Sequence, residues 1–425
     1  MSASQAERRG FESHRPLHTT SLDEPMVLPA AQLVSQLNAK KNDFLQYDSE
    51  LSQVWRAYQQ ALNHAQALSP AQLLTTIPQE IEWSGARPLE PWPQEWRIPL
   101  GMSWPHRDAA RSWAKEQLQG VTTIAVDGSQ ILPTEEISTP VGVVQAGWFI
   151  NPHCPDQPYS KDIHLELITP AELWQARQHY NQDQPHRFSE RFIHLKRFQL
   201  ELATLRQLIA TRSLPRQTLA LFDGSLVLTF AESYDHQWQQ QYVQGICDTL
   251  QQSEQQQVPL VAYIDYSQAR DLVTLLCHTH HLRRTNQIFD CHLLNDVLSQ
   301  WGDRSPFFVC DRGNEDGSAA ILGTYGTWSH QIGFCYLKAH QGYPVRLELP
   351  VWIYTAGLLN SVIRWLCGEL ISGQGYPYAL EAADQVAVLQ RSDRQAFLKQ
   401  LQQWAEQVGV ELRFSRKWVS KQSRR

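Results

Sequence analysis

The segments VTTIAVDGSQ (residues 121–130) and TLALFDGSL (residues 218–226) decide the reading of this chain. Each is a short apolar run, rich in β-branched and leucine side chains, closed by Asp-Gly-Ser. Runs of this length and composition read as buried β-strands. The pattern therefore puts Asp127 and Asp223 at the mouths of two buried strands. The following glycine lets the backbone turn sharply or lets a ligand approach closely. Taken alone, either tripeptide is also an ordinary strand-to-loop turn capped by Asp. Two of them, each directly behind a buried strand, favour a paired carboxylate site. No G-x-S-x-G elbow surrounds Ser129 or Ser225, so these serines read as loop supports that hydrogen-bond the turn or a bound phosphate.

Further strands are expected at 141–150, 162–168, 258–265, 305–311, 330–338 and 345–349. Helical patterns fill 188–212, 233–252, 268–278, 290–300, 350–372, 378–390 and 392–407. Three strands, a helical stretch, and then strand–helix units predict an α/β fold: a mixed sheet with helices on both faces. Upstream, Leu33, Leu37, Phe44, Leu51, Val54, Tyr58 and Leu62 recur at three- and four-residue steps, which predicts a long N-terminal helix. It packs either on a partner chain or on its own domain. Residues 70–105 carry seven prolines interleaved with Trp83, Trp92, Trp96 and Trp104. Proline removes backbone donors, so this is neither a regular helix nor a central strand but an ordered arm. The expected organisation is a disordered N-terminus (1–28), a helical segment and Pro/Trp-rich arm (29–115), a catalytic domain (116–415) and a basic tail (416–425).

The balance of 37 Lys and Arg against 43 Asp and Glu gives a net charge of −6, which excludes a polybasic nucleic-acid binder. Any contact with nucleic acid must be local. Seven scattered cysteines without a CxxC argue against a disulfide framework and a zinc ribbon. The N-terminal residues have no apolar leader, and the apolar stretch 350–373 carries Arg364 and Glu369, so it reads as a buried helix. A cytoplasmic protein without a membrane span is expected. No GxxxxGK[ST] occurs, so the chain has no P-loop motor. Cys277-His278-Thr279-His280-His281 has metal-binding residue types, but adjacent helical histidines point in different directions.

A third acid sharpens the carboxylate reading. On the helix FSERFIHLKRFQLELATLRQLIA, Arg197 and Glu201 share a face. They form either a surface ion pair or a Glu that leans over the strand ends to complete an Asp–Glu–Asp cluster. Hard oxygen ligands of this kind select Mg²⁺ or Mn²⁺ over zinc. Two such ions, about 4 Å apart, clamp the attacking and leaving oxygens of a phosphodiester.

Taken in order, these motifs resemble the NurA family of DNA-repair nucleases, whose core is RNase H-like. The matching residues are Ala125-Val126-Asp127-Gly128-Ser129, Arg197-xxx-Glu201 and Phe222-Asp223-Gly224-Ser225-Leu226. They continue with Asp290-xx-Leu293-Leu294, Gly302-Asp303-Arg304-Ser305, Arg346-x-Glu348-x-Pro350 and Gly375-Tyr376-Pro377-Tyr378-Ala379-Leu380. The resemblance implies an Mn²⁺- or Mg²⁺-dependent nuclease with two ions. It would digest DNA from 5′ ends and cut single strands in DNA end resection, as a homodimer coupled to a HerA-like hexameric ATPase. Asp127, Glu201 and Asp223 would be metal ligands. Where the family places a helical His, this chain reads Glu381-Ala382-Ala383-Asp384, and Asp384 is the natural fourth carboxylate. The departure keeps open an inactive DNA-end-binding adaptor for the ATPase. Arg197, Arg304 and Arg346 are candidates for phosphate contacts, and Tyr376 for stacking on an unpaired base, although aromatic residues near strands and turns are more often core. Arg413, Arg416, Lys417, Lys421, Arg424 and Arg425 add a basic C-terminus, read equally well as a solubility element.

Overall fold

A computed structural model describes residues 29–93, 95–134, 137–180, 190–211, 217–314 and 320–413. The N-terminus 1–28 and the tail 416–425 lie outside the described residues. The strands are β1 (Gly85–Pro88), β2 (Thr122–Ile131), β3 (Gly142–Asn151), β4 (Ser160–Ile168), β5 (Thr218–Asp223), β6 (Leu260–Ile264), β7 (Phe308–Asp311), β8 (Ile332–Leu337) and β9 (Val345–Pro350). The α-helices are α1 (Ala30–Ala39), α2 (Lys41–Gln66), α3 (Pro70–Thr75), α4 (Arg107–Leu118), α5 (Pro170–Tyr180), α6 (Glu190–Ile209), α7 (His236–Gln256), α8 (Asp271–Thr279), α9 (Asp290–Leu294), α10 (Trp352–Thr355), α11 (Leu359–Ser372), α12 (Tyr378–Ala387) and α13 (Arg391–Val408).

The strands form one mixed sheet in the order β1-β7-β8-β9-β6-β5-β2-β3-β4. Within it β2, β3 and β4 form an antiparallel meander, while β5 and β6 run parallel to β2. Antiparallel neighbours need only hairpins. The parallel step from β4 back to β5 requires a crossover, and α5 and α6 supply it. This is the α/β fold expected from the sequence, a mixed sheet flanked by helices.

The chain divides into two compact units. One comprises Gly101–Tyr263, Ala319–Gly333 and Leu347–Arg425. Its core is built on β2, β3 and β5, whose inward positions Ile124, Ala125, Val144, Ala146, Leu219 and Leu221 are fully buried. Helix α6 packs on β2 and β3, as does α12. The long apolar stretch 350–373 becomes the short α10 and the buried α11, which packs against α4. Among the described residues no helix is long and apolar enough to cross a membrane.

The other unit comprises Met1–Leu100, Ile264–Ser318 and Phe334–Arg346. The expected long N-terminal helix breaks at Lys40 (φ −100°, ψ 10°), between the weak helix formers Asn38 and Asn42. Tyr58, Ala61, Leu62 and Ala65 are buried within the unit, whereas Leu33, Leu37, Phe44 and Tyr47 are exposed. The Pro/Trp arm is more regular than its prolines suggest. Ser69 caps α3, with Pro70 at the first helical position, where no donor is needed. Gly85–Pro88 then forms an edge strand, paired antiparallel with β7. An edge position tolerates Pro88 because its missing N–H has no ladder partner to lose. Trp92 and Trp96 are buried against Phe308, with ring centroids 6.3 and 5.1 Å away. Among the described residues none of the seven cysteines forms a disulfide.

Candidate active site

The site is built on β2. Its parallel pairing with β5 ends at Val126 opposite Phe222, so Asp127 and Asp223 follow one step further on neighbouring strands. Adjacent strands lie about 4.8 Å apart, which sets the two backbones side by side on one face of the sheet. Strand β5 stops there, and Gly224 turns away with φ +150°. Strand β2 does not stop. It runs on to Ile131, because β3 keeps pairing with it as far as Ile131 opposite Val143. Asp127 therefore sits within a continuing hairpin arm, not at a strand end as the sequence pattern suggested.

Gly128 consequently has a different task from the expected turn. A Cβ placed there would meet the side chain of Glu201, whose Cδ would lie 2.7 Å away. Alternate residues of a strand face opposite sides, so Gly128 faces α6 while Asp127 faces the other way. The absent side chain leaves the space in which Glu201 brings its carboxylate up to the strand at Gly128, from the face opposite the Asp127 side chain. On Asp127's own face, its cross-strand partner Gly147 is also side-chain-free. A Cβ at Gly147 would lie 2.5 Å from the Ala387 backbone nitrogen, so α12, which carries Asp384, lies directly against the sheet there.

The electrostatics follow from this crowding. Burial, then the charge of Glu201 and also that of Asp384, push the Asp127 carboxyl up to about 7, although its carboxylate accepts the Gly128 N–H at 2.8 Å. Burial likewise raises the Glu201 carboxyl, and Arg197, 3.1 Å away, opposes the shift. Asp127 and Glu201 are thus like-charged neighbours, with Arg197 paired to Glu201. Hard oxygens held together at this cost fit a divalent cation, which would replace the protons. Among the described residues, no three His, Cys, Asp or Glu side chains form a ready-made metal-holding group.

This gives an expected pH dependence. An unfolded chain releases the Asp127 proton near 3.8, and the folded chain releases it near 7. Between those values the folded state binds more protons, so stability falls as pH rises. Below the lower value the effect vanishes. Without divalent cations, Asp127→Asn should therefore melt at a progressively higher temperature than wild type from about pH 4 to 7. Parallel melting curves across that range would show that Asp127 is not held near like charge.

Of the remaining sequence candidates, Ser129 donates to the Ala387 carbonyl of α12, and Ser225 donates to Glu348 Oε2 at 2.8 Å. Glu348 also accepts the Leu226 and Val227 N–H groups, so it shapes the turn behind Asp223. Tyr376 is half-buried with its ring edge-on to Tyr263, and Tyr378 is the more exposed tyrosine. Two proposed DNA contacts are corrected. Arg304 is buried and forks onto Glu90 at 2.6 and 2.8 Å. Arg346 is only 1% exposed and bonds Asp271 at 2.8 Å and the Tyr336 hydroxyl at 3.2 Å, its guanidinium 3.9 Å above the Phe334 ring. Both guanidinium groups are spent on buried partners and present no surface to a phosphate. Gln145, buried and bonded to the Ala387 carbonyl, had no role in the sequence reading. Its signal was a lone polar residue inside the apolar run 141–150.

A family model described as the NurA domain matches residues 121–389. The chain belongs to the NurA family. The match spans the motifs that carried the resemblance, and membership identifies the chain as a nuclease-family protein. No curated protein matches it. Solved structures similar to this NurA chain include the catalytic domain of human endonuclease V, at 12% identity and a TM-score of 0.32, covering 85% of this chain and 99% of that one. The C-terminal lobe of a budding yeast Argonaute matches at 14% identity and a TM-score of 0.23, over 64% of this chain and 48% of the other. Kluyveromyces polysporus Argonaute with a guide RNA matches at 13% identity and a TM-score of 0.23, over 64% and 29%.

Proposed function

We propose that this NurA chain is a divalent-cation-dependent DNA nuclease that hydrolyses phosphodiesters at Asp127, Glu201, Asp223 and Asp384. The supporting observation is the gap at Gly128, which lets Glu201, paired with Arg197, reach the strand that carries the buried Asp127 carboxyl. Asp127 and Asp223, neighbours on adjacent strands, would ligate two cations, and Glu201 and Asp384 would each hold one. Bound Mn²⁺ or Mg²⁺ supplies Lewis-acid polarisation of the phosphoryl group and activation of water. Arg197 pairs with Glu201, and would be the candidate for a DNA phosphate contact beside the site. The 5′–3′ exonuclease and single-strand endonuclease activities, in DNA end resection with a HerA-like ATPase, are part of this proposal. The test is Mn²⁺-supported degradation of labelled DNA, abolished by chelation and by Asp127→Asn. Equal degradation by wild type and variant would remove it. Asp384, where the resemblance places a His, favours one second reading, a DNA-end-binding adaptor. Saturable DNA binding without cleavage at any Mn²⁺ concentration would establish that adaptor.

The homodimer is proposed at β4, which ends the sheet. Edge strands offer unpaired backbone groups to another chain. The side of β4 that carries Ile163, Leu165 and Leu167 leaves them 42%, 59% and 44% exposed. Antiparallel pairing with the same strand of a second copy, centred on Leu165, sets Ile163 opposite the partner's Leu167 and His164 opposite the partner's Glu166. A one-residue slip sets apolar against polar side chains. Two-residue shifts oppose Asp162 to Glu166, or Glu166 to itself. Light scattering should show a dimer that Leu165→Glu converts to monomer. A wild-type monomer, or a dimer indifferent to the substitution, would exclude this surface.

A further inference from the structure

Helix α12 has only ten residues, too few to be stable in water on its own. Its proposed contribution to the site is one side chain, Asp384, close enough to Asp127 for its charge to be felt there. The helix packs on the sheet through the buried Ala379, Leu380, Ala383 and Ala387, and polar ties hold its two ends. At the C-terminal end the Ala387 carbonyl has no partner further along the helix, and two side chains from the sheet serve it. Gln145 Nε2 donates at 2.7 Å, and the Ser129 hydroxyl donates as well. Gln145 sits on β3 directly opposite Ser129 on β2, two residues along from the Gly147–Asp127 pair.

The N-terminal end mirrors this arrangement. No side chain of the N-cap residue, Pro377, serves the helix. Instead the Ala379 N–H donates to Glu369 Oε2 at 2.8 Å. Glu369 is a fully buried carboxylate on α11. Its other oxygen, Oε1, lies 3.0 Å from His153 Nε2, which itself lies 3.1 Å from the Thr123 hydroxyl of β2. An anion at a helix N-terminus is favoured by the unpaired N–H groups and the helix dipole. The C-terminal end of α12 is therefore tied to side chains of β2 and β3, and the N-terminal end to Glu369, which reaches β2 through His153. The ties lie on either side of Asp127, and Asp384 lies between them.

The geometry points to Gln145 and Glu369 as positioning residues that clamp α12 at its two ends and so set where Asp384 stands relative to Asp127. This rests on the proposed role of Asp384. Neither residue touches a reacting atom. Their effect is transmitted through the helix backbone, so the site's affinity for its cation depends on two groups outside the carboxylate set. Gln145→Met keeps the length of the side chain and removes the donor. Glu369→Gln keeps the shape and removes the charge at the helix end.

The test combines two measurements on the full chain. Hydrogen exchange read by mass spectrometry should accelerate at least about tenfold in peptides covering 378–388 in either variant, and stay unchanged in peptides of β2 and β5. Unchanged exchange in 378–388, or acceleration spread evenly over the chain, would overturn the clamp. The Mn²⁺ concentration for half-maximal DNA cleavage should rise about tenfold in Gln145→Met, with no further rise when Gln145→Met is added to Asp384→Asn. Equal rises in both backgrounds would mean that Gln145 acts on general stability and not through Asp384. If wild type does not cleave DNA at all, the nuclease proposal falls, and the exchange measurement still decides whether the clamp exists.

Discussion

Asp127→Asn should lower Mn²⁺-supported DNA cleavage about 10³-fold or more while raising the stability of the cation-free protein at neutral pH. The rate effect follows from the place of Asp127 among four carboxylates that would share the cations. Removing one charged contact to a transition state in a water-poor site costs about 10²–10³-fold, and a lost ligand also loses cation. The stability effect follows from the like charges. Asp127 is held up to about 7 by burial and by Glu201 and Asp384, so its ionised form is unfavourable in the folded chain. An amide of the same shape removes that repulsion. The opposite signs make the prediction specific. A structural aspartate replaced by asparagine would lose stability together with activity, whereas a cation site loses activity and gains stability. Activity should be measured on end-labelled DNA and stability by thermal melting in chelator. Cleavage within threefold of wild type would end the nuclease reading of Asp127.

Arg346→Met should destabilise the chain by about 3–5 kcal/mol, the usual cost of removing one partner from a buried ion pair. Total stabilities of about 5–15 kcal/mol make that a large fraction. Asp271 is the main loser. Burial alone would raise its carboxyl, but Arg312 and Arg346 together hold it below its ordinary range. Asp290 is pushed up to about 7 by burial and by Asp271, with Arg346 opposing. It also accepts the Leu272 and Val273 N–H groups at 3.1 and 2.9 Å, which start α8. Without Arg346, Asp271 keeps only one cation and Asp290 loses the charge that offsets Asp271. The cluster then becomes a pair of buried acids at a helix N-terminus. Denaturant unfolding should show the loss, and adding Asp290→Asn should recover part of it. A phosphate-binding arginine would behave differently: the variant would fold normally and bind DNA with a shallower salt dependence. That second outcome would restore the sequence-based expectation for Arg346.

Arg346 also shows where sequence reasoning stopped. An arginine in a short strand beside a conserved-looking motif spacing gives no local sign of whether it faces solvent or core. Its burial is set by Asp271 and Asp290, more than fifty residues upstream in the chain. Arg304 was misread for the same reason, its partner Glu90 lying in the arm. The β1 strand escaped notice because proline and glycine dominate Gly85–Pro88, and only β7 as a neighbour makes it a strand.

What the sequence alone determined was the set of elements and the family they belong to. Eight strands and the α/β alternation were legible because a strand's composition and a helix's period are written within a dozen neighbouring residues. Asp127 and Asp223 were legible as candidates because acids behind apolar runs are out of place in a core, Glu201 from its place on a helix with Arg197, and Asp384 only through the family resemblance. Only the tertiary structure decided that Gly128 makes room for Glu201, that Gly147 makes room for α12, and that Gln145 holds it there. Those facts depend on strand register and on close approach between segments tens to hundreds of residues apart. A missing methyl group has no consequence until another chain segment fills the space it leaves.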